Sequence, residues 1–194
     1  SYLIYNNKIT KMKLILEFLE IYINQIIYIR GIYPHQIFRK RKAYCLPVFY
    51  NIYPPLNDYL QKSLICTQHL LETQELRRVE IQIYNDDGNQ ESFCIDIFED
   101  LIIDEIELKI LQEVFRQCLC ELDIKCKILN ELKRSSKFRI LLHTKNRAYQ
   151  NLCNDSNYQD FLWRKVTNDE SRLRKVISPI KTCDFMSLHI EHFV

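Results

Sequence analysis

Thiols and imidazoles are the side chains here best suited to metal or redox chemistry, and their spacing argues against both. The eight cysteines, Cys45, Cys66, Cys94, Cys118, Cys120, Cys126, Cys153 and Cys183, contain no CxxC pair and no framework spacing. Cys118 and Cys120 stand two apart in a helical pattern and so point in different directions, which is poor geometry for sharing an ion. With no signal peptide ahead of them they read as free thiols of a reducing compartment, mostly small apolar filler. The five histidines are scattered without an HExxH or similar helical pair, so no metal site and no cofactor are expected. Glycine occurs only at Gly31 and Gly88, which removes phosphate cradles, dinucleotide fingerprints and nucleophile elbows from consideration. No nucleophile, base and orienting group can be assembled, and an enzyme is not expected.

Charge offers one further feature. The run Arg39, Lys40, Arg41 and Lys42 has the density of a phosphate-contacting or nuclear-localisation patch, yet it equally suits a solvated loop. The chain as a whole carries 27 basic and 25 acidic residues, so any nucleic-acid role must be local. Its 194 residues suit one domain with one substantial core.

The elements that position these groups follow from periodicity. A helix is expected from about Lys11 to Arg30, apolar on nearly every side except a stripe of Lys13, Glu17, Glu20 and Asn24, and closed by Gly31 and Pro34. That polar stripe also argues against a membrane span. A polar loop through the basic run should pass into a short extended piece before Asn51, and Pro54 and Pro55 open a second helix. On it Leu56, Tyr59, Leu60, Leu64, Leu70 and Leu71 recur near a 3.6 period. Val79, Ile81 and Ile83, the turn Asp87-Gly88, and Phe93, Ile95 and Ile97 make a hairpin signal. A third helix follows Asp104 and Glu105, with Leu108, Leu111, Phe115, Cys118, Leu119 and Leu122 at helical spacing, and Phe138 to Thr144 reads as a strand. Three helices on an antiparallel sheet make an α+β fold.

The last fifty residues are polar and irregular until Met186, Leu188 and Ile190 alternate. They nevertheless hold Phe161, Leu162, Trp163, Ile177, Ile180 and Phe185. That is too much apolar surface for simple disorder, so the tail should dock on something.

An ordered series of short motifs accounts for that tail. EFLE at Glu17 to Glu20, YIRGIYP at Tyr28 to Pro34, IFRKRKAY at Ile37 to Tyr44 and PLN.Y at Pro55 to Tyr59 are followed by LLHT at Leu141 to Thr144, F.W at Phe161 and Trp163, and PIKT at Pro179 to Thr182. Together they resemble HORMA-domain proteins, most closely the branch that serves as adaptor subunits of the translesion DNA polymerase zeta. The resemblance implies a HORMA fold with a core over about residues 11–145 and a C-terminal safety belt over about 146–194. The belt encloses an extended partner peptide that adds to the sheet as a strand.

The resemblance also implies a set of contacts. Tyr59 and Trp163 should frame a pocket for a proline of the polymerase catalytic subunit; alternatively Trp163 simply pins the belt to the core. Cys66 falls where the family lines the peptide, and it reads equally as a buried thiol. Lys165 stands where the family places an apolar residue two positions after the Trp, so that end of the groove is altered or shifted to Val166. Ile177, His189 and Glu191 correspond to a surface that recruits the deoxycytidyl-transferase scaffold polymerase, although the family has Gln and Tyr at the last two. Lys40 and Arg116 fall on a third-helix surface used for homodimers or HORMA heterodimers, with Lys127 replacing a small residue, and an ATP-dependent remodeller is expected to reopen the belt. Nuclear localisation follows from the same likeness, with the cytoplasm left open. Two rival readings are a spindle-checkpoint HORMA protein and a direct DNA-binding module acting through Arg39 to Lys42.

Overall fold

The computed structural model describes residues 2–98, 107–155 and 175–193. At its centre is helix α1, Tyr2–Ile29, longer at its start than the periodicity implied. The polar stripe behaves as expected at its outer end, with Lys13 and Glu17 exposed, while Phe18, Ile21, Tyr22, Ile26 and Ile27 are buried. Asn24, at the inner end of the stripe, is buried and fully used. Its carboxamide oxygen accepts from the Asn51 amide at 3.0 Å and the Asn51 side chain at 2.9 Å, and its nitrogen donates to the Glu20 carbonyl. The helix ends in a Schellman arrangement, Gly31 adopting φ +64° while the Ile32 amide reaches the Ile27 carbonyl at 3.1 Å.

The basic run is a strand and not the loop expected. Strand β1, Phe38–Ala43, pairs antiparallel with β2, Leu46–Asn51, around a two-residue turn in which Tyr44 and Cys45 take φ of +48° and +62°. Such turns are signalled by Asn-Gly or Asp-Gly, and here a Tyr-Cys pair occupies the same backbone, which hides the hairpin from sequence reading. Tertiary contacts hold it: the Tyr44 ring meets Phe115 edge-on and its hydroxyl lies 3.5 Å from the Leu14 carbonyl.

Helix α2, Pro54–Glu72, begins on its two prolines as expected. Strands β3, Leu76–Asn85, and β4, Gly88–Ile97, form the expected hairpin, turning at Asp86 and Asp87 and not at Asp87-Gly88, with Val79 opposite Ile95 and Ile81 opposite Phe93. Helix α3, Leu108–Lys127, stacks Phe115 on Phe18 of α1 at 4.1 Å. Residues 99–106, including the expected N-terminal Asp104 and Glu105, lie outside the described part. Strand β5, Lys137–Thr144, matches the expected one, and a short helix α4, Asn146–Asn154, follows it unannounced. Its buried Ala148 and Leu152, four apart, are too few apolar positions to establish a period.

Strands β6, Lys175–Thr182, and β7, Met186–Phe193, complete a five-stranded antiparallel sheet in the order β5-β3-β4-β7-β6. Strand β6 went unread because Pro179 interrupts it, and the register shifts between Pro179 and Lys181, the accommodation proline requires on an edge strand. The three long helices cover the sheet face that carries Val79, Ile81, Ile83, Phe93, Ile95, Leu188 and Ile190, as the α+β expectation held. Among the described residues no helix is long and apolar enough to cross a membrane.

Candidate functional site: an open sheet edge

The sheet order places β5 at one edge and the C-terminal hairpin β6-β7 at the other, attached to β4. The chain leaves the first side at Asp155, after α4 packs on β5, and re-enters at Lys175 beyond β3, β4 and β7. Its C-terminal strands thus leave the outer edge of β5 without a strand partner among the described residues.

The direction in which that edge faces can be read from one hydrogen bond. The Ile140 amide donates to the Tyr59 hydroxyl at 2.9 Å, so it points away from β3. Antiparallel alternation then turns the amides and carbonyls of Phe138, Leu142 and Thr144 the same way, whereas the Lys145 amide turns inward to the Glu75 carbonyl at 3.0 Å. The result is a row of main-chain donors and acceptors ready for another strand.

Tyr59 stands over this row from the first turns of α2. Burial raises its phenol above the ordinary value of 10.0, the Ile140 contact opposing that only in part, so the hydroxyl stays protonated at neutral pH and can donate onward while it accepts. Its ring meets Phe138 edge-on at 5.8 Å, and Tyr33 approaches Phe138 from another side at 6.2 Å. Three aromatic faces around the start of β5 give a flat apolar seat of the kind that receives proline. Tyr33 and Phe138 were not singled out from sequence as site residues; the signal was the aromatic opening of an alternating strand.

Cys66 lies on the same face of α2, seven residues and two turns from Tyr59. It is 2% exposed and its thiol is pushed up to about 11 by burial, so it contributes shape and no reactivity. The neighbouring Ser63 and Thr67, also buried, return their hydroxyls to the Tyr59 and Ser63 carbonyls at 2.9 and 2.8 Å, so this stripe of the helix carries no unsatisfied hydroxyl. Trp163, Lys165 and Val166 lie outside the described residues.

The remaining expected contacts are distributed over the molecule. Ile177 on β6 is 61% exposed beside Val176, whereas His189 and Glu191 on β7 turn into a buried polar network on the sheet face away from the helices. There Arg78 binds Asp96 through two nitrogens at 2.5 and 3.2 Å and reaches Glu191 at 3.2 Å, while His189 lies 3.3 Å from Glu191. Cys94, His189 and Glu191 bring ligand-type atoms within 4.8 Å of one another, but the Arg78 guanidinium already touches the Cys94 sulfur at 3.7 Å and answers the carboxylate charge. Burial, ahead of all other causes, holds the Cys94 thiol well above its usual range.

Lys40 is exposed on β1, and Arg116 on α3 is clasped by Glu113 at 2.9 and 2.7 Å, which holds the Glu113 carboxyl down at about 2. The β1-β2 turn packs on α3 at Phe115, beside Arg116, so hairpin and helix contribute to neighbouring surface. Within the basic run Arg39 donates to the Gln36 and Phe38 carbonyls and Arg41 covers the Tyr50 ring at 4.9 Å.

Comparison with known proteins places these features in context. Residues 12–138 match the family model described as HORMA domain. The DNA polymerase zeta subunit 2 of Drosophila melanogaster is 31% identical over 166 residues, spanning 84% of this chain and 84% of that protein. The mitotic spindle assembly checkpoint protein MAD2B is 29% identical in Danio rerio and 27% in Homo sapiens, each over 183 residues covering 92% of this chain and 87% of the relative. Among solved structures, a chain of the mitotic checkpoint complex superposes with a TM-score of 0.71 at 17% identity, covering 94% of this chain and 98% of that one. Caenorhabditis elegans HTP-2 bound to a HIM-3 closure motif does so with a TM-score of 0.65 at 13% identity, covering 92% and 87%. At such identities the structural likeness establishes the fold.

Proposed function

The chain belongs to the HORMA domain family, and on that premise we propose that it is the non-catalytic adaptor subunit of a DNA polymerase zeta, clamping a proline-containing segment of the catalytic subunit. The observation that carries this reading is the open β5 edge with the Tyr59 hydroxyl posted on it. A peptide laid along β5 gains main-chain hydrogen bonds from the outward groups of Phe138, Ile140, Leu142 and Thr144. A proline fits beside Tyr59, Tyr33 and Phe138 with little loss of freedom, its φ being fixed already. The segment between Asp155 and Lys175, which holds Trp163, joins the two sides of the sheet, and its closure over the peptide makes release depend on opening the chain. The name of the Drosophila relative supports the choice of polymerase.

The finer assignments extend the same proposal. Ile177 offers the exposed apolar contact for the scaffold polymerase, with His189 and Glu191 shaping the strand beneath it. Lys40 and Arg116 belong to a dimer surface, an ATP-dependent remodeller opens the belt, and the protein works in the nucleus. The vertebrate relatives' names favour a second reading, that of a spindle-checkpoint regulator.

Titration with a proline-containing peptide from the same organism's polymerase zeta catalytic subunit tests the proposal. The expected result is tight, slowly reversing binding, weakened roughly 30-fold in Trp163→Ala. A folded wild type that ignores this peptide but captures a checkpoint peptide would move the assignment to the second reading. Salt-sensitive binding to bare DNA without either peptide would point to Arg39 to Lys42.

A further inference from the structure

The strand that frames the open edge is strongly and one-sidedly charged. From Leu132 to Asn154 the chain holds Lys133, Arg134, Lys137, Arg139, Lys145 and Arg147 and no Asp or Glu, although the whole chain is only +2. Some of this charge is answered internally. Lys133 pairs with Asp87 at 2.5 Å, and Arg139 binds the Gln82 carboxamide at 2.6 Å while covering the Tyr84 ring. Lys145 and Arg147 have no carboxylate partner among the described residues. They line an open cleft of about 530 Å³ together with Thr73, Gln74, Glu75 and Arg77, one carboxylate among three cations.

The position of the cleft relates it to the edge. Lys145 directly follows Thr144, the last residue of β5, and Thr144 pairs with Leu76 at the start of β3. A strand advances about 3.4 Å per residue, so one paired with β5 comes level with Lys145, at the margin of the cleft, within a residue or two of passing Thr144. At the other end of β5 the surroundings are aromatic, so the two ends select for different chemistry.

We infer that the peptide held along β5 carries carboxylate side chains at the end lying beside Thr144, where Lys145 and Arg147 receive them. This rests on the clamp reading above and adds a polarity to it: a proline seat by Phe138, an acidic flank by Thr144. Acidic residues there also relieve the mutual repulsion of the cations, and the field of the edge speeds their encounter.

The test uses the full chain and three versions of one proline-containing peptide from the polymerase zeta catalytic subunit: neutral at both flanks, with three Glu at the N-terminal flank, or with three Glu at the C-terminal flank. One acidic version should bind about fivefold tighter than the neutral one at low salt, the gain shrinking in 0.5 M salt, about what a few exposed ion pairs provide. In Lys145→Ala/Arg147→Ala, its fold checked by circular dichroism, the ratio between acidic and neutral peptides should fall to about one. Equal affinity of wild type for all three would overturn the inference while leaving the clamp standing, as would an acidic preference that survives the double substitution. Failure of all three to bind a folded wild type would remove the clamp reading, and this inference with it.

Discussion

The Tyr59 hydroxyl holds the one outward amide of β5 seen to be occupied, so a peptide strand must take the Ile140 amide from it. The ring is needed for the proline seat; the hydroxyl competes with the incoming carbonyl. Tyr59→Phe should therefore bind partner peptide as well as wild type or slightly tighter, whereas Tyr59→Ala should lose about tenfold; isothermal titration of the two variants decides whether the hydroxyl competes or contributes. Periodicity placed Tyr59 on the apolar face of α2, but its role in the site was visible only through the family likeness, and its bond to Ile140 joins residues 81 apart, beyond the reach of any local pattern. A second residue-scale expectation concerns Tyr22, whose hydroxyl is buried without a hydrogen-bond partner among the described residues. Removing an unsatisfied buried group while keeping the ring costs no packing, so Tyr22→Phe should stabilise the fold by about 1 kcal/mol, read as a raised urea midpoint at unchanged slope. A fall in stability would mean that the hydroxyl has a partner in solution.

Elements were legible where local chemistry and tertiary demand agreed. Pro54 and Pro55 start α2 and Gly31 ends α1, while the β3-β4 hairpin turns one residue earlier than expected, at Asp86 and Asp87, with Gly88 at φ +123° opening β4 where a positive φ favours glycine. They were illegible where packing overruled preference. The β1-β2 turn places two non-glycine residues at positive φ and is kept there by Tyr44 against Phe115, while β6 contains a proline and survives as an edge. The strained turn yields a prediction with a definite sign. Cys45 is exposed at φ +62°, so Cys45→Gly removes a Cβ penalty of about 1 kcal/mol and should raise the unfolding midpoint. Gly31→Ala should lower stability by a similar amount, about 1 kcal/mol. A Cβ there meets nothing within 4 Å, so the loss would be purely conformational. If both substitutions prove neutral, the assigned backbone conformations are not maintained in solution.

At the scale of the whole molecule, the helix-covered face of the sheet was predictable from alternation, but the opposite face was not. Alternation marks only which residues are polar, and on this face Glu80, Gln82, Ser92 and Glu191 are nevertheless buried. Glu80 on β3 receives Ser92 of β4 at 2.6 Å and His143 of β5 at 2.7 Å, and on the same face a second cluster, Arg78 of β3 with Asp96 of β4 and Glu191 and His189 of β7, lies alongside it. The first cluster ties the open edge to β3 and β4, and the second ties those two strands to β7. Burial pushes the Glu80 carboxyl up, but the hydrogen bonds from His143 and Ser92, with the charge of His143, outweigh it and leave the group below its ordinary 4.5, nearby Glu191 opposing. A carboxylate depressed on folding stabilises above its unfolded value and loses that contribution as pH falls through the folded one. Glu80→Gln should accordingly be less stable than wild type at pH 7, and the gap should narrow as pH drops below about 4.5. Because the network reaches β5, the same variant should weaken peptide capture along with global stability, by protecting the Ile140 amide less from hydrogen exchange. A pH-independent gap would show that Glu80 matters only for its shape; a narrowing gap with unchanged exchange at Ile140 would confine the network to stability and leave the edge independent of it.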